Sequence, residues 1–267
     1  MLRITVNDLI LFKYLLEEKY IHIDLVKKYI GKNYEASSYR RRLSGLKKSG
    51  YIKYVKDFGS HKNFIFPTKK TEIMYEAKKN ELKNEVKMRG NTLLKYSEVN
   101  NNKILDKYNL STHHKNIRLT QLRFFLEKIG VDYWRRSSMY YNKYAKNPDA
   151  IFELWNKTYA VELELSKKNY KEYKNEFIAY EKVKKIEFDK IIYIPLSENN
   201  FDYIFDIIKN KFIYELSDTY WKKRYWMIKF DDLKNNNFMI YYPLEKKRAD
   251  FNKKMKIHRA SKKEAIK

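Results

Sequence analysis

Near the middle of the chain, Val161 to Leu165 reads Val-Glu-Leu-Glu-Leu, an alternation that few backbone conformations can accommodate. Successive side chains of a strand point to opposite faces, so Glu162 and Glu164 share one face while Val161, Leu163 and Leu165 share the other. Upstream, Pro148-Asp149 opens an apolar run, Ala150 to Leu154, and Asn156-Lys157 makes a polar turn into the second run, Tyr159 to Leu165. The two runs read as the strands of a hairpin. Two carboxylates on a strand that otherwise looks buried are costly unless something pairs with them. A divalent cation shared with Asp149 offsets that cost, because hard cations such as magnesium take carboxylate oxygens. The competing reading pairs the same acids with arginines, lysines or backbone amides.

Pro-Asp, an interval of twelve residues, and then Glu-x-Glu resembles the core motif of PD-(D/E)xK nucleases. The resemblance implies a restriction-endonuclease-like α/β domain with a central mixed sheet, with Asp149 and Glu162 as metal ligands and magnesium as the cofactor. The motif commonly ends in lysine, and here Glu164 stands in that place. Lys167 and Lys168, just past the strand, are candidates for a displaced lysine.

The formal charge of +25 over 267 residues exceeds what solubility requires and points to a polyanionic partner, nucleic acid or an anionic membrane surface. No apolar run approaches the roughly 18 residues of a membrane span, and the N-terminus lacks a signal-peptide pattern, so we expect duplex DNA, no membrane and a cytoplasmic location. The absence of cysteine excludes disulfides and thiolate metal sites.

Three short helical patterns open the chain. Asn7 reads as a cap for the first, Asp24 for the second, and the third runs from near Ala36 to Ser49-Gly50 with Tyr39, Leu43 and Leu46 as its inward stripe. Strand-like Tyr51 to Val55 and Asn63 to Phe66 follow. Three helices and a basic hairpin make a winged helix-turn-helix over residues 1–68. In that arrangement the third helix enters the major groove with Ser37, Ser38, Arg40, Arg41, Arg42 and Lys48 toward DNA, and His61 and Lys62 at the hairpin tip lie against the backbone or minor groove. Through Thr68 the count is 14 Lys/Arg against 6 Asp/Glu, so charge accumulates where this reading needs it. A solvated helix face is the bland alternative.

Residues 69–105 read as a connector helix and loop. The helix carries a sparse stripe of Met74, Ala77, Leu82 and Val86 that packs on a neighbouring domain or pairs with its copy in a homodimer; both alternatives stand. Residues 106–244 form the second domain: a helix capped at Ser111 or Thr112, strands at Val131 to Trp134 and Met139 to Tyr141, the Asp149 hairpin, the helix Tyr170 to Val183, and the strand Lys190 to Pro195. Then come a helix, Phe201 to Leu216, and two late strands, Tyr225 to Phe230 and Phe238 to Tyr242. His113 and His114 begin the first of these helices, about 100 degrees apart, and His114 is the better placed as a site residue. Residues 245–267, with 10 Lys/Arg against 3 Asp/Glu, read as a flexible basic tail.

Taken together, His114, Trp134-Arg135, Pro148-Asp149, Glu162-Leu163-Glu164, Ser166, Lys167, Tyr173 and Tyr180 resemble the replication-relaxation family of mobile genetic elements. That resemblance spans residues 7 to 196 and implies a plasmid protein acting in replication or in relaxation and transfer of DNA. The expected protein is therefore α+β, a sequence-specific binder of double-stranded DNA. The first alternative is a metal-dependent endonuclease using Asp149, Glu162, Glu164 and Lys167, with His114 nearby. The second is a winged-helix transcriptional regulator.

Overall fold

The computed structural model describes residues 2–31, 35–56, 63–88, 113–128, 130–136, 147–154, 156–181, 188–212, 224–235, 239–242 and 247–250. The chain is an α+β protein that divides into two compact units, Met1–Phe124 and Phe125–Lys267.

The first unit opens with α1 (Val6–Glu18), β1 (Ile21–His22), α2 (Ile23–Leu25, running into a π-helical turn Val26–Ile30), α3 (Ala36–Lys48), β2 (Ile52–Lys56) and β3 (Asn63–Pro67). Thr5, not Asn7, caps α1: the Asp8 carboxylate accepts from the Thr5 amide at 2.7 Å, and the Thr5 side chain accepts from Asp8 in return. This reciprocal box satisfies two amide donors that the helix itself cannot, and so outcompetes a lone asparagine. The cap of α2 is His22 rather than Asp24. β3 pairs with both β2 and β1, giving an antiparallel sheet of order β1-β3-β2, so the expected two-stranded hairpin gains a third strand. Gly31 ends the second helical segment where a Cβ would collide with the Tyr39 ring, and Gly50, at φ +75°, turns the chain from α3 into β2.

α1 is buried along its whole second half, polar residues included: Lys13, Glu17 and Glu18 join Phe12, Leu15 and Leu16. The reason lies in α5 (His113–Lys128), whose Arg123 donates to both Glu17 and Glu18 and stacks 4.5 Å above the Tyr14 ring, while Thr120 donates to Glu18 at 3.1 Å. Phe124 packs on Tyr14 and Tyr29. Residues up to Phe124 thus belong with the first unit, and the boundary lies inside α5 rather than before it. α4 (Lys69–Met88) also packs on α1, with Thr71 and Tyr75 buried, so its first half is part of this core and not a free connector. The Asn100–Asn102 loop, the helix caps Ser111 and Thr112, and the side chains of Leu82 and Val86 lie outside the described residues.

The second unit holds a seven-stranded mixed sheet of order β10-β9-β8-β7-β6-β5-β4. β4 (Asp132–Arg136), β5 (Ala150–Leu154) and β6 (Lys157–Glu164) form an antiparallel meander; β7 (Lys190–Pro195) and β8 (Tyr225–Met227) continue parallel to β6; β9 (Met239–Tyr242) and β10 (Lys247–Asp250) reverse again. α6 (Tyr170–Glu181) crosses between β6 and β7. A further helix, α7 (Glu198–Asp206), lengthens into a π-helical stretch Ile207–Phe212, and α8 (Phe230–Lys234) interrupts what reads in sequence as a simple two-strand turn. Phe230 and Leu233 of α8 are buried, which is why this segment folds inward instead of looping. Tyr173, Phe177 and Tyr180 of α6 and Phe201, Ile204 and Ile208 after it pack against Ala160, Ile191, Tyr193 and Tyr225 of the sheet. The expected strand at Met139 to Tyr141 lies outside the described residues, as does 251–267, but Lys247–Asp250 is a paired edge strand and not a flexible tail.

Candidate functional site

The parallel register sets Glu162 opposite Tyr193 and Glu164 opposite Pro195, so both acids project from the face of the sheet that α6 covers. Each is almost wholly buried. Glu176, a turn before Tyr180 on the inward side of α6, brings a third carboxylate down onto them. One oxygen from each of Glu162, Glu164 and Glu176 lies within 4.8 Å of the others, the one such acidic group found among the described residues. Sequence reasoning missed Glu176. Its signal was nonetheless present: an acid at position 176 falls into the stripe made by Tyr173, Phe177 and Tyr180, where solvent is not expected.

Each carboxylate has a defined partner. The Tyr180 hydroxyl donates to Glu162, the Tyr193 hydroxyl donates to Glu176 at 3.4 Å, and the Lys168 ammonium donates to Glu164 at 2.6 Å and to Glu176 at 2.8 Å. Burial disfavours the Lys168 charge, but the hydrogen bonds and negative charge of Glu164 and Glu176 outweigh it and raise its pKa. Burial, reinforced by Glu162, raises the Tyr180 phenol, and burial, reinforced by Glu176, raises Tyr193. Tyr173 is fully buried, and burial, then the charge of Glu164, raises its phenol against the opposing effect of a hydrogen bond with the Lys168 backbone.

Asp149, expected to share a cation with Glu162, is placed differently. Its carboxylate accepts from the Leu163 amide at 2.8 Å and its own amide donates to the Val161 carbonyl at 2.9 Å, so it extends the β5–β6 ladder one residue beyond Ala150. It is not one of the three clustered acids. Of the two candidate lysines, Lys168 reaches the carboxylates, whereas Lys167 is exposed with its ammonium 3.7 Å above the Tyr203 ring. His114 is exposed near the start of α5, in the first unit, and takes no part in the cluster. Three carboxylates this close are the donor type that a hard divalent cation takes, and the third of them is Glu176, not Asp149.

On α3 of the first unit, Ser37, Arg40, Arg41 and Lys48 are exposed and Ser38 is half-buried, while Tyr39, Leu43 and Leu46 fill the core behind them. Arg42 departs from the expected row. Its guanidinium grips Asp8, with Nε donating at 2.9 Å and Nη2 closing the second contact, and it also donates to the Arg3 carbonyl. Two arginines of the run face solvent and the third ties α3 to the start of α1. Lys53 and Lys56 on β2 add exposed positive charge to the first unit. His61 and Lys62 lie outside the described residues.

Comparison with protein-family models, with curated proteins and with solved structures gives no match to this chain.

Proposed function

We propose that the chain is a sequence-specific double-stranded DNA-binding protein whose first unit is a winged helix-turn-helix, with α3 seated in the major groove. The single observation that carries this reading is the polarity of α3: Arg40, Arg41 and Lys48 exposed on one side, Tyr39, Leu43 and Leu46 buried on the other. The order helix, strand, helix, helix, strand, strand around it, with β1 joining the hairpin, is that of winged helices. Arginine forks suit guanine edges, while the lysines of β2 suit phosphates. Action at a plasmid origin of replication or transfer follows from the replication-relaxation resemblance. The test is selection of bound duplexes from a randomised pool by the full chain, followed by affinity measurements over a salt series. Enrichment of one motif with a steep salt slope is the expected result; no enrichment and salt-independent retention would overturn it.

A second reading, metal-dependent cleavage or nicking of that DNA, is favoured by the cluster of Glu162, Glu164 and Glu176. The succession α5, three antiparallel strands, α6 and a parallel strand is the order of a restriction-endonuclease core. In this reading the three glutamates hold magnesium, which when bound lowers the pKa of a water and offsets charge on the phosphate. Tyr180 and Tyr193 would fix the orientation of Glu162 and Glu176, and the Lys168 ammonium, held by Glu164 and Glu176, would supply positive charge at the site.

A further inference from the structure

We infer that Lys47 of α3 and Tyr54 of β2 together bind one phosphate of the duplex backbone, a contact that fixes how far α3 slides along the major groove. The inference rests on the DNA-binding reading of the first unit and adds the subsite that sets its register.

The exposed residues of α3 form a row. Arg40, Ser44 and Lys47 follow one another at spacings that keep them on one side of the helix, with Tyr39, Leu43 and Leu46 buried behind them. Lys47 stands about 10 Å further along the axis than Arg40, at a rise of roughly 1.5 Å per residue. A helix whose first turns meet base edges carries its last turn to the sugar–phosphate wall of the groove.

A lysine in the last turn of a helix is favoured by the helix dipole alone, which accounts for the charge of Lys47 but not for its neighbour. The Lys47 ammonium lies 5.0 Å from the centre of the Tyr54 ring, which comes from a different element and is half-buried against the core of the first unit. An aromatic face places an ammonium without neutralising it. Arg42 is neutralised by Asp8, whereas Lys47 makes no ion pair among the described residues. Burial raises the Tyr54 phenol, so the hydroxyl keeps its proton at neutral pH and can donate. Lys56, two residues further along β2, is exposed and shares the face of Tyr54. Ammonium and phenol groups on one side of a common core offer N–H and O–H donors to phosphate oxygens, and a lysine already held by a ring loses less freedom when it binds.

The test uses the full chain and the duplex selected from the randomised pool, with a neutral methylphosphonate replacing each backbone phosphate in turn. The parent, Lys47→Met and Tyr54→Phe are compared by anisotropy. Lys47 is exposed and phenylalanine keeps the packed ring, so both variants should melt with the parent. At one position the methylphosphonate should weaken the parent about tenfold, the scale of a hydrogen bond to a charged group, and should weaken both variants less. Lys47→Met should make the slope of log affinity against log salt shallower by about 0.9. Tyr54→Phe removes no charge, so it should lower affinity by about two- to tenfold and leave that slope unchanged. Variants that respond to every methylphosphonate as the parent does, or that lose their response at two different positions, would overturn the shared subsite and leave DNA binding in place. A parent chain that enriches no duplex from the pool overturns the DNA-binding reading and the subsite with it.

Discussion

Arg42 on α3 and Asp8 on α1, 34 residues apart, form a two-point guanidinium–carboxylate contact, and the same Asp8 completes the capping box with Thr5. One carboxylate therefore fixes both where α1 begins and how α3 lies against it. Arg42→Ala should lower the stability of the first unit by about 2 kcal/mol, the scale of hydrogen bonds to charged groups, measured by urea unfolding. Arg41→Ala, on the exposed side, should stay within about 0.5 kcal/mol of the parent.

The same pair of arginines separates stability from recognition. Arg41→Ala should relax base preference at one position of the selected site and cost about 1 to 3 kcal/mol there, whereas Lys53→Ala should weaken all duplexes alike. Anisotropy titrations against the preferred and a scrambled duplex make the comparison. Log affinity should fall linearly with log salt, by about 0.9 per phosphate contact, and Lys53→Ala should make that slope shallower.

Arg123 carries two buried glutamates. Replacing it with methionine leaves Glu17 and Glu18 without their shared guanidinium, and the first unit should lose about 3 to 5 kcal/mol, the cost of breaking a buried ion pair from one side. A combined Glu18→Gln, Arg123→Met chain, in which Lys13 still neutralises Glu17, should recover much of that loss. A double variant no more stable than the single one would show that the guanidinium acts through packing on Tyr14 instead.

Asp149 gives a prediction opposite in sign to the one expected of a crowded metal ligand. Its carboxylate accepts from the Leu163 amide, so Asp149→Ala strands a ladder donor and should cost about 1 to 3 kcal/mol in metal-free buffer, while Asp149→Asn keeps an acceptor and should cost less. A metal-free melt in which Asp149→Ala is more stable than the parent would instead mark relief of repulsion among carboxylates.

Alkaline stability follows from the buried phenols. Tyr180 and Tyr193 have folded pKa values raised by burial and by Glu162 and Glu176, and Lys168 is raised against its burial by Glu164 and Glu176. For groups raised on folding, the stabilisation is complete below the unfolded values, about 10 for tyrosine and 10.4 for lysine, and fades as pH climbs toward the folded ones. Urea unfolding of the second unit should thus be flat with respect to these groups up to about pH 10 and decline above it, by at most about 1.4 kcal/mol per pH unit for each group. Tyr180→Phe should make the decline shallower. A decline shared by parent and Tyr180→Phe alike would assign it to other groups.

What the sequence made legible was local. The spacing of Tyr39, Leu43 and Leu46 marked the buried side of α3, and alternation at Glu162 and Glu164 marked both the strand and its acidic face, because periodicity records which side of an element meets the core. Partnerships across the fold were not legible. Nothing in the run Arg40-Arg41-Arg42 says that the last grips Asp8 while the first two stand exposed, and nothing in Lys167-Lys168 says which turns inward. Both are settled by helix phase and chain path after the elements dock. Glu176 was missed for a similar reason: charge on a helix reads as surface until a partner sheet is known to lie beneath it. α8 escaped because five residues are too few for a periodic signal.

The division of the chain within α5 bears on how such a protein can be inherited. Recombination that exchanged only residues 1–68 would deliver Glu17 and Glu18 to a new host chain without the arginine that covers them. A break in the Asn-rich segment before α5 would do the same. The segment that can travel intact runs through Phe124, carrying α4 and most of α5 with it. Joints between units shared by diverging descendants of this chain should therefore lie after Arg123, and changes at positions 17, 18 and 123 should occur together.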